Sequence, residues 1–279
     1  MIRISMENFN LKQIAESGQC FRWKQLDKKG MCFEFISGSK SIAIHQHSDN
    51  MFDFYCNEEE FTDTWIKYFD ICGTDYGAIC RKMEAYGGLL EEAAKEGAGI
   101  RILRQDPWEM LITFLTAQNI SIPRVTTLIE KLCNKYGQKV KFRNTVSYAT
   151  FPSPESLAKA KPEELRELGF GYRDKQIITA ARIAASGAVD LDKLKKIDHD
   201  TAKLILTNIY GVGDKVAECI NLFGLGKLES YPIDTWVQKI EDYFGHGYIQ
   251  KEFPDHAGIV QQYLFAYVRK HGLPERGKP

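Results

Sequence analysis

The sequence has no long apolar run, and none of its segments approaches the roughly 18 consecutive apolar residues of a membrane-spanning helix. The N-terminus, "MIRISMENFNLKQ", has no apolar stretch of signal-peptide length. We therefore expect a cytoplasmic protein with no membrane partner. With 279 residues, 44% of them hydrophobic, the chain has enough apolar side chains to bury a sizeable core.

Paired cysteines are also absent. The seven cysteines are an odd number, contain no CxxC pair and are widely scattered, at positions 20, 32, 56, 72, 80, 133 and 219. Disulfide frameworks, structural zinc and iron–sulfur clusters use paired or closely spaced thiols. We expect reduced thiols and no metal. His45 and His47 share one face of a strand pattern, but without a third ligand nearby they indicate a surface strand pair.

Net charge is absent as well, since 37 basic residues balance 37 acidic residues. This argues against a protein that coats nucleic acid through bulk electrostatics. One segment, residues 118–150, is different: its six basic residues outnumber a single acidic residue, Glu130, for a net charge of +5. A solvated helix face is the common explanation of such a run, and an anionic partner is the alternative. The basic residues are Arg124, Lys131, Lys135, Lys139, Lys141 and Arg143.

The hydrophobic pattern changes along the chain from strands to helices. Short alternating segments, "CFRW", "MCFEFI", "SIAIHQ" and "MFDFYC", predict an antiparallel sheet. Beyond residue 60 the period becomes helical, with "PRVTTLIEKLCNKY" as the clearest amphipathic helix. We predict an α+β, mostly helical fold: an antiparallel sheet domain with flanking helices over 1–98, and a helical region over 99–279.

A helix, a tight hairpin and a second helix are predicted at about 200–224. The apolar face of "DTAKLILTNIY" is interrupted by "GVG" and resumes in "DKVAECINLF". Gly211 and Gly213 permit unusual backbone angles and close approach of a ligand, and the second helix begins with unpaired N–H groups. Such a turn suits a phosphate, although a compact helix connection explains it equally well.

Lys215 stands at an unusual position, because a cation in the first turn opposes the helix dipole at a cost of about 0.3–1 kcal/mol. Asp214, a nearby phosphate or simple exposure to water would compensate. The functional alternative is an amine nucleophile, which must be neutral. An ordinary lysine pKa is about 10.4, so a nucleophile needs a dry pocket that lowers it to about 7–8.

Asp234 follows "YP" and precedes the helical "TWVQKIEDYF". We therefore predict that its carboxylate caps this helix, a role that leaves room for chemistry in a neighbouring pocket. Cys219 lies one turn after Lys215 on the same stripe and is a small core residue on local grounds.

These residues carry a family resemblance. "GVGDKVAEC" followed by "YPIDTW" resembles the helix-hairpin-helix DNA glycosylases that have a Gly/Pro-rich loop and a catalytic aspartate. Within that superfamily the chain is most similar to the 8-oxoguanine DNA glycosylase/AP lyases, because "SGQCFRW", "LRQDPWEMLITFLTAQNISIPR" and "LGFGYR" match their motifs in order. The similarity extends over nearly the whole chain and implies the same sheet-plus-helices fold.

The resemblance implies a bifunctional enzyme of base excision repair that flips 8-oxoguanine out of duplex DNA. Lys215 would displace the base at C1′ and form a Schiff base, and β-elimination would nick the strand. Asp234 would stabilise the developing positive charge. The carbonyl of Gly18 would accept a hydrogen bond from N7–H of the oxidised base, which normal guanine lacks.

Further roles follow from the same resemblance. Cys219 and Phe265 would sandwich the extruded base, and Gln261 would bind its Watson–Crick edge. The predicted DNA contacts would read the unpaired cytosine, wedge the duplex apart or hold its backbone. These residues are Asn119, Arg124, Tyr172, Arg173, Gly211, Gly213 and Trp236. The basic segment would then lie along bent DNA, and the protein would be nucleoid-associated if bacterial.

The chain also departs from the family. Trp236 replaces a histidine that many relatives have two residues after the aspartate, and "TAQNIS" replaces an asparagine-rich run, which leaves the preference for cytosine open. The alternatives are a monofunctional glycosylase for alkylated or mismatched bases, a non-catalytic DNA-binding module, or a Schiff-base lyase for small carbonyls. We expect a monomer that requires no cofactor, and a monovalent cation at the hairpin is compatible with the resemblance.

Overall fold

The computed structural model describes residues 1–142 and 146–274, so Arg143 of the basic segment lies outside the described residues. Its first five strands form an antiparallel sheet in the order β1-β5-β4-β3-β2, and two further strands form a separate hairpin. The strands are Ile2–Ser5 (β1), Trp23–Gln25 (β2), Cys32–Ser37 (β3), Lys40–Ser48 (β4), Met51–Phe54 (β5), Lys139–Phe142 (β6) and Val146–Ala149 (β7).

Helices make up most of the remaining described chain. A π-helical turn, Phe61–Trp65, joins α2 to α3. The α-helices are Leu11–Glu16 (α1), Glu58–Glu60 (α2), Ile66–Tyr68 (α3), Tyr76–Tyr86 (α4), Gly88–Gly97 (α5), Pro107–Thr116 (α6), Ile122–Tyr136 (α7), Pro154–Ala158 (α8), Pro162–Leu168 (α9), Arg173–Ala185 (α10), Leu191–Leu194 (α11), His199–Thr207 (α12), Asp214–Phe223 (α13), Thr235–Phe244 (α14), Tyr248–Glu252 (α15) and Ala257–His271 (α16).

The sheet buries one aromatic and aliphatic face. Phe33 and Phe35 on β3 lie opposite Ile44 and Ile42 on β4, and this face packs against α1 and the helical segment that contains Trp65. The predicted α+β fold, with its N-terminal antiparallel sheet and helical remainder, is confirmed. One detail was wrong: β2 begins only at Trp23, because Cys20 and Phe21 turn inward and are buried.

Helix α6 is the centre of the helical region. All of its positions from Glu109 to Thr116 are buried, and α7, α10, α11 and α13 pack around it. Asp106 begins the helix by accepting a hydrogen bond from the Glu109 amide at 2.9 Å, and Pro107 occupies the first turn. A helix that is mostly apolar and buried on all sides is typical of an enclosed position. Phe114 on α6 lies at the site described below.

Two hydrophobic cores divide the described residues. The smaller core lies under the sheet, whereas α4 and α5 pack with α16 in the larger, helical core. The predicted division at residue 98 stays a prediction. Helix α7 confirms the expected amphipathic helix. The hairpin of β6 and β7 was not predicted, because residues 139–149 were considered only for their charge.

Arg101 fastens the N-terminal segment to the chain that leads into α6. Its guanidinium donates to the carbonyls of Glu7, Asn8 and Asp70 at 3.0, 2.9 and 2.7 Å. It also lies 4.8 Å from the centre of the Tyr76 ring. One buried cation thus satisfies carbonyls from two separate segments.

Along the described stretches 1–142 and 146–274, no helix is both long and apolar enough to cross a membrane. The same stretches hold no group of three or more His, Cys, Asp or Glu side chains suited to a metal ion. His47 instead pairs with Asp53 at 2.6 Å, and its ring contacts that of His45.

Replacing Arg101 by alanine is expected to lower the free energy of unfolding by about 2–4 kcal/mol, because several buried carbonyls lose a charged donor. Urea denaturation followed by circular dichroism measures this change. The matched control is Arg81→Ala, whose side chain is 71% exposed and which should change stability by less than about 0.5 kcal/mol. Equal stabilities of the two variants would contradict this account of Arg101.

Candidate active site

The predicted helix-hairpin-helix is present as α12, a turn at 208–213, and α13. Gly211 has φ +90°, and a Cβ there would lie 2.6 Å from the side chain of Gln176. Glycine is therefore required at 211 on two grounds. Gly213 has φ −94° and ψ −179°, which are ordinary extended angles, so the unusual backbone angles that glycine permits are used at 211 and not at 213. Its surroundings are open, since a Cβ at 213 would meet no atom of the described chain within 4 Å beyond its sequence neighbours.

Lys215 projects from the first turn of α13 and is half-buried. Its Nζ lies 5.6 Å from the centre of the Phe114 ring on α6. Lys215 also acts to lower the pKa of the Cys219 thiol, which lies one turn along the same helix. The amine therefore emerges beside an aromatic ring and above a buried thiol, and not from an open surface.

Asp234 caps helix α14, as the sequence predicts. Its Oδ1 accepts hydrogen bonds from the amides of Trp236 and Val237 at 2.9 and 2.8 Å. A single oxygen serves both amides, which leaves Oδ2 for other contacts. The cap therefore does not use up the carboxylate, and the half-buried side chain faces a cleft.

A cleft of about 760 Å³ brings together residues from distant parts of the chain. Lys215, Asp234, Gly18 and Phe265 border it, together with Asn119 on its outer side. These residues come from α13, the N-cap of α14, the loop after α1, α16 and the turn after α6. A space of this size, with an amine and a carboxylate on its wall, suits a small polar planar group.

Gly18 lies directly against the aromatic wall. It has φ +85°, and a Cβ there would lie 3.1 Å from Ile122 Cδ1 and 3.8 Å from Phe265 Cε1. Any side chain would therefore narrow the cleft and strain the backbone. Arg269 covers one face of Phe265, with its guanidinium carbon 5.1 Å from the ring centre.

The loop that contains Gly18 is fixed by its neighbour Gln19, which is fully buried. The side-chain Nε2 of Gln19 donates to the Arg101 carbonyl at 2.9 Å, and its Oε1 accepts from the backbone amide of Leu103 at 2.8 Å. Gln105 donates to the Gln19 carbonyl at 2.8 Å, and the Gln105 amide donates to the Phe223 carbonyl at the end of α13 at 2.9 Å. Gly18 and the Lys215 helix are thus tied to one short segment.

Two predicted base-binding residues lie in the interior and do not border the cleft. Cys219 is 3% exposed, and burial raises the pKa of its thiol to about 11 while Lys215 acts to lower it. Gln261 is also 3% exposed, and its Oε1 accepts from Gln262 at 3.0 Å. The structure therefore places Cys219 beneath Lys215 and leaves Gln261 paired with its neighbour.

Four of the five predicted DNA-contacting residues that carry a side chain are exposed. Asn119, in the left-handed conformation at φ +56°, donates to the hydroxyl of Tyr172 at 3.4 Å, and Tyr172 is 58% exposed. Arg124 is exposed and lies against Gly169. Arg173 is the exception: it is buried, and its guanidinium donates to the carbonyls of Phe170 and Gln118.

Trp236 is partly exposed on the first turn of α14, where Lys239 Nζ lies 4.7 Å from the centre of its ring.

Sequence reasoning missed Phe114 and Ile122, which line the cleft, because both belong to helices with regular apolar positions. It also missed Gln118 and Gln176. Gln118 Nε2 donates to the Gly211 carbonyl at 3.2 Å and to Gln176 Oε1 at 3.4 Å, and no local motif identifies such a bridge.

Comparison with known proteins divides the chain into two matched segments. Residues 1–111 match the family described as "8-oxoguanine DNA glycosylase, N-terminal domain". Residues 112–256, just over half of the chain, match "HhH-GPD superfamily base excision DNA repair protein".

Individual relatives agree with these matches. A "Probable N-glycosylase/DNA lyase" of Methanothermobacter thermautotrophicus is 33% identical over 64% of this chain and 66% of its own length. The "N-glycosylase/DNA lyase" of Saccharomyces cerevisiae is 39% identical over 51% of this chain and 41% of its own length. The chain thus spans two thirds or less of these curated relatives.

One solved structure matches a larger share of this chain than these relatives do. It is the Clostridium acetobutylicum 8-oxoguanine glycosylase/lyase in complex with double-stranded DNA containing cytosine opposite 8-oxoG. This protein superposes with a TM-score of 0.89 at 31% identity, over 96% of this chain and 94% of that chain.

Substituting Gly211 by alanine is expected to destabilise the protein by about 1–3 kcal/mol, through the left-handed backbone and the contact with Gln176. The double variant Gly211→Ala/Gln176→Ala removes the contact and should recover part of the loss, which a thermodynamic cycle of urea midpoints measures. Gly213→Ala is the control and should cost about 1 kcal/mol or less, the value for a helix N-cap. Equal costs at both glycines would contradict the geometry described.

Proposed function

The chain belongs to the HhH-GPD superfamily of base excision DNA repair proteins, with an N-terminal domain of the 8-oxoguanine DNA glycosylase type, and we propose that it excises 8-oxoguanine from duplex DNA and then nicks the strand. The observation that carries this proposal is the single cleft that Gly18, Lys215, Asp234 and Phe265 border together. It supplies a nucleophile, a counter-charge, a backbone acceptor and a stacking ring in one space.

Lesion recognition rests on Gly18. Its carbonyl accepts the N7–H of 8-oxoguanine, whereas the N7 lone pair of normal guanine would leave that carbonyl facing another acceptor. Buried polar groups left unpaired in this way discriminate strongly between similar ligands. Gln19 and Gln105 support this role, because they hold the Gly18 loop rigidly.

Catalysis uses the amine of Lys215. Its lone pair attacks C1′, the bond from C1′ to the base breaks, and the electron pair leaves with the base, which takes up a proton. One proton of the bound nitrogen passes to O4′ as the sugar ring opens, which leaves a protonated Schiff base. Removal of a C2′ proton then sends its electron pair toward this Schiff base, the C3′–O bond breaks, and the phosphate leaves with that bond's electrons. The carboxylate of Asp234 stabilises the positive charge that develops on the sugar as the bond to the base breaks.

The extruded base lies against Phe265, above the turn of α13 that contains Cys219. Stacking on an aromatic ring contributes about 1–3 kcal/mol, which offsets part of the cost of flipping a base out of the helix. Gln261 reads the Watson–Crick edge. Its side chain is paired with Gln262, so this role requires the amide to exchange that partner when the base enters.

DNA is held on the outer side of the cleft. The open backbone at Gly213 and the start of α13 suit a phosphate, with Gly211 shaping the turn and Trp236 nearby. Asn119 and Arg124 read the unpaired cytosine, and Tyr172 wedges the duplex open. Arg173 acts from the interior by holding the Gln118 turn. In the basic segment, Lys135 lies 3.7 Å from Glu164, so its charge is partly balanced.

Three further properties belong to the proposal. The partner is double-stranded DNA that carries an oxidised purine, bound by a monomer in the cytoplasm. No metal is needed, because the amine performs the substitution. A monovalent cation would bind at backbone carbonyls of the hairpin, where oxygen ligands without charge suit a singly charged ion. To test for this cation, K⁺ is replaced by choline at constant ionic strength and the affinity for DNA is measured.

Lys215→Gln is expected to abolish covalent trapping by borohydride on a duplex with 8-oxoguanine opposite cytosine, together with base excision and strand nicking, because no amine remains to attack C1′. Gel analysis of the protein–DNA adduct measures trapping. Lys193→Gln, with a side chain that is 80% exposed, is the matched control and should trap like the unmodified protein.

Other outcomes separate the alternative functions. If Lys215→Gln still excised alkylated or mismatched bases without nicking the strand, the protein would be a monofunctional glycosylase for those bases. Adducts formed only with small aldehydes would indicate a lyase of small carbonyls. DNA binding by the unmodified protein without excision on any lesion would indicate a binding module.

Excision is expected to be fastest opposite cytosine, and Asn119→Ala should reduce the difference between cytosine and the other three bases. The reason is that the Asn119 amide, oriented by Tyr172, presents a fixed hydrogen-bonding pattern to the unpaired base. Single-turnover rates on the four opposing bases measure the preference, with exposed Asn134→Ala as the control. Equal rates in the unmodified protein would contradict the assignment of Asn119.

A further inference from the structure

A second cavity, of about 400 Å³, lies on the other side of Lys215. It separates α12 and α13 from the loop that leads to Asp234, and Glu218, three residues after Lys215, borders it. Glu218 is 8% exposed. A buried carboxylate so close to the proposed nucleophile, and not used by the proposed mechanism, requires an explanation.

Glu218 binds three groups, two on α12 and one on the loop that leads to Asp234. Its Oε2 accepts from the backbone amide of Tyr231 at 3.1 Å and contacts His199 Nε2 at 2.9 Å. Its Oε1 lies 3.1 Å from Lys203 Nζ. Burial acts to raise the pKa of Glu218, but His199 and Lys203 together bring it below its ordinary value. The carboxylate is therefore held ionised between α12, α13 and the loop.

The Tyr231 amide belongs to the segment that carries Asp234. Pro232 restricts the chain between these two residues, and the far end of the segment is fixed where Asp234 caps α14. Glu218 is thus the near anchor, joined through one turn of α13 to Lys215. Moving this anchor would shift Asp234 relative to Lys215, and rates are sensitive to displacements of about 1 Å in such pairs.

We propose that Glu218 is a positioning residue that fixes the distance between Asp234 and Lys215 by anchoring the Tyr231 amide to helix α13, and that protonated His199 keeps Glu218 in this arrangement. The inference rests on the proposed roles of Lys215 and Asp234. It adds a residue that touches neither DNA nor the base and acts only through the loop.

The charged groups around His199 support this role. The hydrogen bond with Glu218 is the main cause that raises the pKa of His199 to about 8, against burial, and Asp200 adds to it. Asp200 on α12 and Glu218 on α13 contact His199 directly. The other titratable groups that line the same cavity are Lys203 on α12, Asp214 and Lys215 on α13, and Glu229 and Tyr231 on the loop, while α15 supplies the uncharged Gln250.

The sign of the pH effect follows from the raised pKa. The charged pair of His199 and Glu218 contributes fully below the ordinary histidine pKa of about 6.5. It is lost as the pH rises through about 8. The Tyr231 anchor should therefore loosen on the alkaline side.

The experiment combines hydrogen exchange at the Tyr231 amide with single-turnover excision of 8-oxoguanine. Glu218→Ala is expected to speed exchange at Tyr231 by at least tenfold and to lower the rate constant of excision ten- to hundredfold, with DNA affinity unchanged within threefold. Glu218→Gln keeps an acceptor for the amide but loses the charged pair, so its rate should lie between those of the alanine variant and the unmodified protein. Exposed Glu59→Gln is the control.

His199→Gln supplies a neutral donor that does not titrate in this range. The excision rate of the unmodified protein is expected to decline through pH 8, and His199→Gln is expected to remove this decline. Circular dichroism verifies that each variant is folded, and a loss of stability alone would not change the pH profile or be rescued by Glu218→Gln.

The outcomes are distinct. Native exchange at Tyr231 or an unchanged excision rate in folded Glu218→Ala overturns the inference, as does an alkaline decline that persists in His199→Gln or equal impairment of the alanine and glutamine variants. Failure of the unmodified protein to trap lesion DNA overturns the proposed function instead, and the exchange measurement then reports on the anchor by itself.

Discussion

The buried side chain of Gln19 is the constraint on which the cleft depends. It connects the loop of Gly18 to the segment 101–105, and that segment is bonded in turn to the last residue of α13. A backbone carbonyl reads a ligand only if its direction is fixed, and glycine alone provides no such rigidity. The neighbouring glutamine supplies it, because its buried side chain and its carbonyl are hydrogen-bonded to the segment 101–105.

The reactive groups reach one cleft because α6 is enclosed by the rest of the helical region. Lys215 packs over Phe114, which projects from α6, and the turn that ends α6 supplies Asn119. The same turn is bonded through Gln118 to the Gly211 carbonyl. Lys215, the hairpin and the turn that contains Asn119 are thus parts of one packed unit, whereas Asp234 lies on a separate loop that is anchored to α13 through Glu218.

Local rules predicted those features that local physics decides. Alternation indicated the sheet, apolar periodicity indicated α7, the GVG interruption indicated the hairpin, and the position before "TW" indicated the cap formed by Asp234. The rest depends on contacts between distant segments. Arg173 is charged and follows an exposed tyrosine, yet it is buried because the carbonyls of Phe170 and Gln118 need donors. Phe114 and Gln118 were missed for the same reason, since only the tertiary arrangement gives them partners.

The distribution of thiols has a consequence for where this protein can work. Five of the seven cysteines are buried, and only Cys72 is exposed. Burial raises the pKa of Cys20 and Cys219 to about 11 and that of Cys133 to about 12. Peroxides attack thiolates and not thiols. Peroxides would therefore react more slowly with these three buried thiols than with exposed thiols of ordinary pKa.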